Sequence, residues 1–565
     1  MAPSGRAASR GDPWVATRGR LALEPGKTQV AINVAGALAL LAFLLLLSPG
    51  FINSDSASGV LLAGDLARTG RWLSPDWAYV SDSLTIDGRV QLAMAASLLW
   101  GSSIAAFVAT ACVGAGFAFA ASYCLSRQLG AARRDAVTAA LVLLLGPSFI
   151  YMDLVLGLTI SIQMAWVLWF VVAIVGYVHA RRTPLLLLAA FGIVLLLAVS
   201  SPKKAVAYVA LPYLAATFAV LAAGWLERGA ARAVRGRLLA GAAAVCIACV
   251  FGYVVHKHLL HGLTLYAGYA RMHVALTPGR VMDNLQLCWK LLLRFAGDGN
   301  SLLQAGGVVL ALGASIILMV APWIRRRLVE WVAGPAGFAC LFALLGLAGI
   351  GAYLLTYEDI KVWYGIYYAL MPACPLLSVC AAVAGERAVG KAAFASRAGL
   401  MLVLLLGVCN VAYLAWQPPR GYLGIGKNQT RTHLQRTALV HWLLANHLER
   451  GYALYWDANA MTLLSNGKLQ VGAIGRTRTG NKLRRFAWLT SKARVNYQPA
   501  DGEAWFIALP TRGKGPELPT ACLPAGQRVQ IQRYDVHVYR RAMPGCLPPG
   551  VRFGPRARRR NVAQR

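Results

Sequence analysis

The chain has 565 residues, 58% hydrophobic and only 14% charged, with 56 Lys and Arg against 22 Asp and Glu. Its mean hydropathy is +0.54. This balance excludes a soluble protein: the repeated apolar runs reach the roughly 17–25 residues that cross a bilayer as helices, and lipid leaves the backbone few other ways to pair its polar groups.

Residues 1–28 read as a basic cytoplasmic tail carrying Arg6, Arg10, Arg18, Arg20 and Lys27. The first apolar run, Ala31–Leu47, has no small-residue cleavage site and reads as an uncleaved anchor. Counting onward, about eleven spans are predicted within 29–416, near 30–48, 98–124, 136–152, 154–178, 185–201, 205–225, 238–256, 302–323, 333–356, 364–385 and 398–416. Every second connection is basic: Arg127/Arg133/Arg134, Arg181/Arg182, Arg228 to Arg237, Arg325–Arg327, and Arg387/Lys391/Arg397. By the positive-inside rule these are cytoplasmic. The remaining connections then lie outside: the loops 49–97 and 257–301, the turns at Asp153, Lys203–Lys204 and Tyr357–Trp363, and everything after Gln417. A bacterial inner membrane, with the C-terminal part periplasmic, is the expected setting.

Gln417-Pro-Pro-Arg-Gly421 breaks the apolar pattern and opens a small α/β domain over 417–565. A helix is predicted over Asn428–Arg450, and strands at Tyr452–Trp456, Lys468–Ile474, Ala504–Leu509 and Val529–Tyr539. A short helix is expected at Asn459–Ser465. This segment carries 25 Lys and Arg against 6 Asp and Glu. Its extracytoplasmic placement excludes nucleic acid as a partner and favours an anionic membrane face or glycan. Of the eleven Cys, only Cys522 and Cys546 lie here, where one disulfide is compatible with an oxidising compartment.

Charged groups from distant loops thus converge on the outer face: Asp55 just past the first span, Asp82 in the same loop, Asp153, Lys203 and Lys204, Arg271, and the run Glu358, Asp359, Lys361, Tyr364. An ionisable group at a membrane face is a functional candidate by default. The plainer readings are a helix cap at Asp55 for a helix over Ala57–Leu66, snorkelling lysines at 203 and 204, and a solvated turn at 358–361. His256, His258 and His261 have no closed metal-ligand set.

These residues carry a resemblance. Asp55 with Gly70, Trp72 and Pro75, Asp153 in Tyr151-Met-Asp-Leu154, Lys204 leading to Leu211-Pro212, and Tyr367-Tyr368 leading to Pro372 and Pro375 follow one another in order and on one side of the membrane. In this the chain resembles the GT-C glycosyltransferases that use polyprenyl-phosphate sugars, closest to the protein mannosyltransferase and aminoarabinose transferase branch. The resemblance spans about residues 30–415. It implies an all-α polytopic domain with a soluble C-terminal α/β domain. It also implies sugar transfer from a polyprenyl-phosphate donor to a hydroxyl of a glycan, lipid or protein.

On that resemblance Asp55 takes the acceptor's proton, Lys204 with Lys203 or Arg271 steadies the leaving phosphate, and Asp153 orients acceptor or base. The outcome is inversion. No cofactor is called for, although a divalent cation is compatible with the set. The family often has Asp-Glu where this chain has Asp55-Ser56, so Asp82 or Asp87 is a candidate replacement for the second carboxylate.

Two other classes fit a polytopic chain. A lipid-linked sugar flippase or transporter places charges and broken helices at mid-membrane and shows repeats; here the span centres are nearly charge-free. A glycan polymerase or ligase of another fold calls for a different acid–base set.

Overall fold

The computed structural model describes residues 25–79, 88–146, 149–152, 155–156, 160–179, 184–226, 232–265, 277–297, 334–356, 362–385, 391–416, 424–476, 483–511 and 527–542, with 518, 522, 546 and 547. The membrane part opens with α1 (Pro25–Ala42), α2 (Ser54–Thr69), β1 (Trp77–Tyr79), α3 (Arg89–Trp100), α4 (Ile104–Gln128) and α5 (Arg133–Leu145). It continues with α6 (Ser161–His179), α7 (Pro184–Ser200), α8 (Leu211–Leu226), α9 (Arg232–Leu259) and β2 (Thr264–Leu265). The last membrane-part helices are α10 (Pro278–Gly297), α11 (Pro335–Leu355), α12 (Val362–Gly385) and α13 (Lys391–Trp416).

The C-terminal part holds α14 (Gly424–Ala445), β3 (Arg450–Leu454), α15 (Tyr455–Leu464), β4 (Gln470–Arg476), β5 (Leu483–Arg485), β6 (Thr490–Ser491), β7 (Trp505–Pro510), β8 (Gln527–Ile531) and β9 (Tyr534–Tyr539).

Among the described residues, seven helices are long and apolar enough to cross a membrane: Gly26–Phe51, Ile104–Gln128, Ser161–His179, Pro202–Ala222, Val234–Leu259, Pro335–Leu355 and Ala393–Trp416. Shorter apolar helices occupy Pro184–Ser200 and Tyr368–Ala384. The expected span at 136–152 is instead α5 of 13 residues, ended at Gly146, followed by a single turn at Phe149–Met152. The expected span at 302–323 lies outside the described residues. Helices pack as neighbours α4 on α6, α7 on α9, α11 on α12, and α13 on α1, around an apolar core that includes Phe43, Phe170, Tyr213, Phe338 and Phe342.

The expected outer loop 49–97 is more ordered than its sequence suggested. It holds α2 and α3, two helices packed on each other, and the strand β1. Two glycines shape it. Gly70 closes α2 in the left-handed region (φ 67°), and its N–H donates to Leu66 O. Gly88 opens α3 at φ 86°, where a Cβ would also meet Trp166 Nε1 at 3.1 Å. The predicted span at 98–124 therefore begins later, at Ile104, because α3 turns back along the face of the domain before α4 starts. From the loop at 257–301 the structure describes β2 and the amphipathic helix α10. Asn284 anchors α10 by donating to Leu355 O at 3.0 Å and Leu354 O at 3.3 Å.

At the opposite end of the first span a polar network replaces apolar packing. Arg397 grips Asp135 through Nε (3.1 Å) and Nη2 (3.3 Å). Gln29 donates to the same carboxylate at 2.8 Å, and Thr138 donates to Asn33 at 2.9 Å. These partners compensate the burial of a carboxylate whose side chain is 2% exposed.

The C-terminal sheet runs β5-β4-β3-β7-β9-β8. β3 is parallel to β4 and β7, and the other pairs are antiparallel. Two expectations are corrected. The strand predicted at Tyr452–Trp456 ends at Leu454, and Tyr455 and Trp456 begin α15. The strand predicted at Val529–Tyr539 is a hairpin, β8 and β9, turning at Gln532 with φ 55°. Cys522 and Cys546 are disulfide-bonded.

Three segments far apart in sequence join the two parts. β1 pairs with β2 in parallel and with β6 antiparallel, so the loops 49–97 and 257–301 and the C-terminal domain share one small sheet. α15 lies against α2, and Ala460 and Leu463 join Val60, Leu61 and Leu62 in one apolar cluster.

Arg436 of α14 completes the joint. It donates to Asp457 Oδ1 from Nε (3.0 Å) and Nη2 (2.7 Å), and to Ile52 O from Nη1 (2.8 Å). The two side chains are 4% and 5% exposed. Burial pulls the guanidinium's pKa down, but Asp457 and Tyr534 outweigh it and hold it above its ordinary value. Removing one partner of such a pair strands a buried charge. Asp457→Ala is therefore expected to lower stability by about 3–5 kcal/mol, read as a lower unfolding temperature of the detergent-solubilised protein and faster proteolytic release of the C-terminal domain.

Candidate active site

Asp55 sits in the first turn of α2, immediately past the end of the first span. Asn53 performs the capping there: its Oδ1 accepts from Asp55 N (2.9 Å) and Ser56 N (3.1 Å), and Ser56 Oγ accepts from Asn53 N in return (3.0 Å). This reciprocal box satisfies the helix start without the Asp55 side chain, which removes the plain reading of Asp55 as a cap. The carboxylate is left beside the positive end of the helix, where a negative charge is favoured.

The side chain lines a pocket between α2, α3 and α4, with Gly59 and Val60, Arg89 and Ala93, and Phe107 and Thr110 as its neighbours. Asp55 is half-buried as a residue. The protein packed around it nonetheless desolvates the carboxylate, and burial raises its pKa above the ordinary 3.8. A hydrogen bond from Tyr455 Oη to Oδ1, and the positive charge of Arg89, pull the other way without cancelling the rise.

The helix carrying Tyr455 is bound to the same stretch of chain at two further points. Ser54 Oγ donates to Tyr455 O, and Asn459 N donates to Ser54 Oγ at 3.2 Å. With Arg436 on Ile52 O, residues 52, 54 and 55 are all held by the C-terminal domain.

The remaining sequence candidates divide into three groups. Lys203 and Lys204 lie on the short helical turn Pro202–Ala205, which packs on α7 and α9. Lys203 is exposed and Lys204 half-buried, and neither lines the pocket at Asp55. Tyr364 falls in the first turn of α12. Asp82, Asp87, Asp153, Arg271, Glu358, Asp359 and Lys361 lie outside the described residues. The positive group that the structure does place beside Asp55 is Arg89. A sequence signal for it existed: Arg89 stands in the loop 49–97, expected on the outside, where the positive-inside rule depletes basic residues, the same argument that singles out the lysine pair. Tyr455 had no comparable signal.

Among the described residues, no group of three His, Cys, Asp or Glu side chains is placed to hold a metal ion. His256 Nδ1 is 2.7 Å from Val199 O, a helix-to-helix tie.

The raised pKa has a stability consequence with a definite sign. Native Asp55 binds its proton more tightly than the unfolded chain does, so its contribution is fully present below the ordinary carboxylate pKa. That contribution is lost as pH rises through the raised one. Asp55→Asn keeps an acceptor for Tyr455 and removes the desolvated charge. Its expected effect is a gain on the order of 1 kcal/mol at neutral pH, read as a rise in unfolding temperature over wild type that disappears as the buffer is acidified.

No family model matches the chain, and no curated protein sequence matches it. Solved structures do. ArnT from Cupriavidus metallidurans bound to undecaprenyl phosphate superimposes with a TM-score of 0.52 at 12% identity, covering 90% of this chain and 98% of ArnT. The apo state of the same protein superimposes equally, over 91% and 98%. The likeness therefore extends through the membrane part and the C-terminal domain together, and at this identity it carries the fold. The chain has the fold of ArnT, through its membrane part and its C-terminal domain alike, as the order of its motifs implied.

Proposed function

We propose that this chain is an integral membrane glycosyltransferase that moves a sugar from a polyprenyl-phosphate carrier to an acceptor hydroxyl, with inversion. The reading places the reaction on the outer face of a bacterial inner membrane, with the C-terminal domain in the periplasm. The observation that carries it is Asp55: a half-buried carboxylate with no capping duty, lodged beside Arg89 in a pocket just past the first span. A fold whose solved example holds undecaprenyl phosphate supports the choice of donor.

The chemistry follows from these groups. The acceptor hydroxyl attacks the anomeric carbon and gives its proton to Asp55. The bond from that carbon to the phosphate oxygen breaks, and its electron pair leaves with the polyprenyl phosphate. A positive group near the developing charge lowers the barrier. Arg89 lines the same pocket as Asp55, and Lys203, Lys204 and Arg271 remain the motif-based candidates for the phosphate. Attack opposite the leaving group, without a covalent intermediate, gives inversion. Asp153 is proposed to orient acceptor or base. Asp82, Glu358, Asp359, Lys361 and Tyr364 are proposed substrate contacts.

The basic C-terminal domain suits anionic headgroups around the site. The acceptor class is a glycan, a lipid or a protein of the cell envelope.

Transfer of radiolabelled sugar from polyprenyl-phosphate donors to envelope fractions tests the reading. Wild type is expected to transfer label from one donor, and Asp55→Asn at matched membrane expression is expected to lose about 10²–10⁴-fold of that rate. No transfer by wild type across several donors overturns the proposal. Full activity in Asp55→Asn removes Asp55 as the base.

A further inference from the structure

The C-terminal domain has so far served only as a platform packed on the membrane part. Its contact with Asp55 is more specific than packing requires. Tyr455 opens α15, and its phenol reaches across the domain boundary to Asp55 Oδ1. The ring is itself fixed: it is 7% exposed and enclosed by Trp456 at 5.3 Å, Phe486 at 5.2 Å and Trp488 at 6.3 Å between centroids. The main chain on either side of Asp55 is pinned as well, through Ser54 on Tyr455 O and Arg436 on Ile52 O. Among the described residues, Tyr455 is the only hydrogen-bond donor to the Asp55 side chain, and it engages Oδ1 alone.

From this geometry we propose that Tyr455 of the C-terminal domain is a positioning residue for the base. It holds one oxygen of Asp55 and fixes the carboxylate's rotamer, so that the second oxygen is presented to the acceptor hydroxyl. The assignment rests on Asp55 being the base of the proposed transfer. It gives the C-terminal domain a part in the reaction: without α15 in place, the carboxylate has neither its hydrogen bond nor its anchored backbone. A donor to a carboxylate favours the charged, proton-accepting form, so the phenol also keeps Asp55 usable as a base inside a pocket that opposes ionisation.

Among the described residues, the charged and titratable groups facing Asp55 from the elements packed on it are few. α3 contributes Arg89, and α15 contributes Tyr455 with Asp457, which is neutralised by Arg436 of α14. From α4 the pocket receives Phe107 and Thr110, neither of which titrates. Replacing the Tyr455 hydroxyl alone therefore isolates its effect.

Tyr455→Phe keeps the ring and its packing. Two readouts are followed against pH in the full-length protein: the rate of sugar transfer, and labelling of Asp55 by a hydrophobic carbodiimide, which reacts with the protonated carboxyl and is quantified by peptide mass spectrometry. In the variant the acid limb of the rate profile and the labelling midpoint are both expected to move to higher pH. The rate at neutral pH should fall about tenfold and recover as the medium is made more alkaline. A uniform loss at every pH with an unmoved labelling midpoint overturns the assignment and leaves Tyr455 a packing residue. If wild type transfers no sugar from any donor, the glycosyltransferase reading fails. The labelling midpoint then decides the Tyr455–Asp55 coupling by itself: an upward shift sustains it and an unmoved midpoint ends it.

Discussion

Arg436 divides its donors between the two halves of the molecule, and the surroundings of Asp55 are arranged around that division. Its Nε and Nη2 neutralise Asp457, and its Nη1 holds Ile52 O, three residues before Asp55. A guanidinium buried this deeply is tolerated only with a carboxylate in place and its remaining donors satisfied. The geometry is therefore demanding: α14, α15 and the start of α2 all have to be correctly placed before the charge is compensated. Arg533 and Tyr534 of the C-terminal hairpin add further donors to the same carboxylate, at 3.5 and 3.1 Å. A polar joint of this kind adds little net stability compared with apolar packing. It sets register, and here the register is that of the helix carrying the candidate base.

The membrane part supplies the other half of the constraint. The first span ends just before Asp55 through a change of helical pitch: a wider turn at Phe43–Leu47 and a tighter one at Ser48–Phe51, with Pro49 in the latter. The Asn53–Ser56 box then restarts the chain as α2. Because Asn53 takes the capping role, Asp55 is available for other work. Its neighbours α3 and α4 close a pocket around it that is apolar on one wall and carries Arg89 on another. Burial raises the carboxylate's pKa while Arg89 keeps a positive charge within electrostatic reach, a setting that suits the proposed role of proton acceptor.

Much of the architecture was legible along the chain. Most expected spans coincide with apolar helices, because a helix in lipid needs only length and hydropathy to be recognised. The change to a soluble α/β pattern after Gln417 was visible in the breaker cluster and the shift in periodicity. The errors fell where hydropathy is a poor guide. α3, with the sequence Arg-Val-Gln-Leu-Ala-Met-Ala-Ala-Ser-Leu-Leu-Trp, runs into the next apolar stretch and reads as the start of a span. Tyr455 and Trp456 have strand propensity, yet they begin a helix because α15 must turn to meet α2. Val529–Tyr539 reads as one strand because its turn, Gln532–Arg533, contains neither Gly nor Asn.

By itself, the sequence determined that this is a polytopic membrane protein with a soluble C-terminal domain. It also determined that an acidic residue follows the first span, since hydropathy and charge placement are local properties of the chain. Only the tertiary structure decided which groups meet that residue. Arg89 arrives from the far end of the same loop, and Tyr455 comes from 400 positions away. Neither meeting is encoded in spacing or composition, because each depends on how α3 and α15 are rotated when they pack on α2. The lysine pair shows the converse: charged residues on one expected face of the membrane share a side without sharing a pocket, and depth and helix rotation settle which of them do.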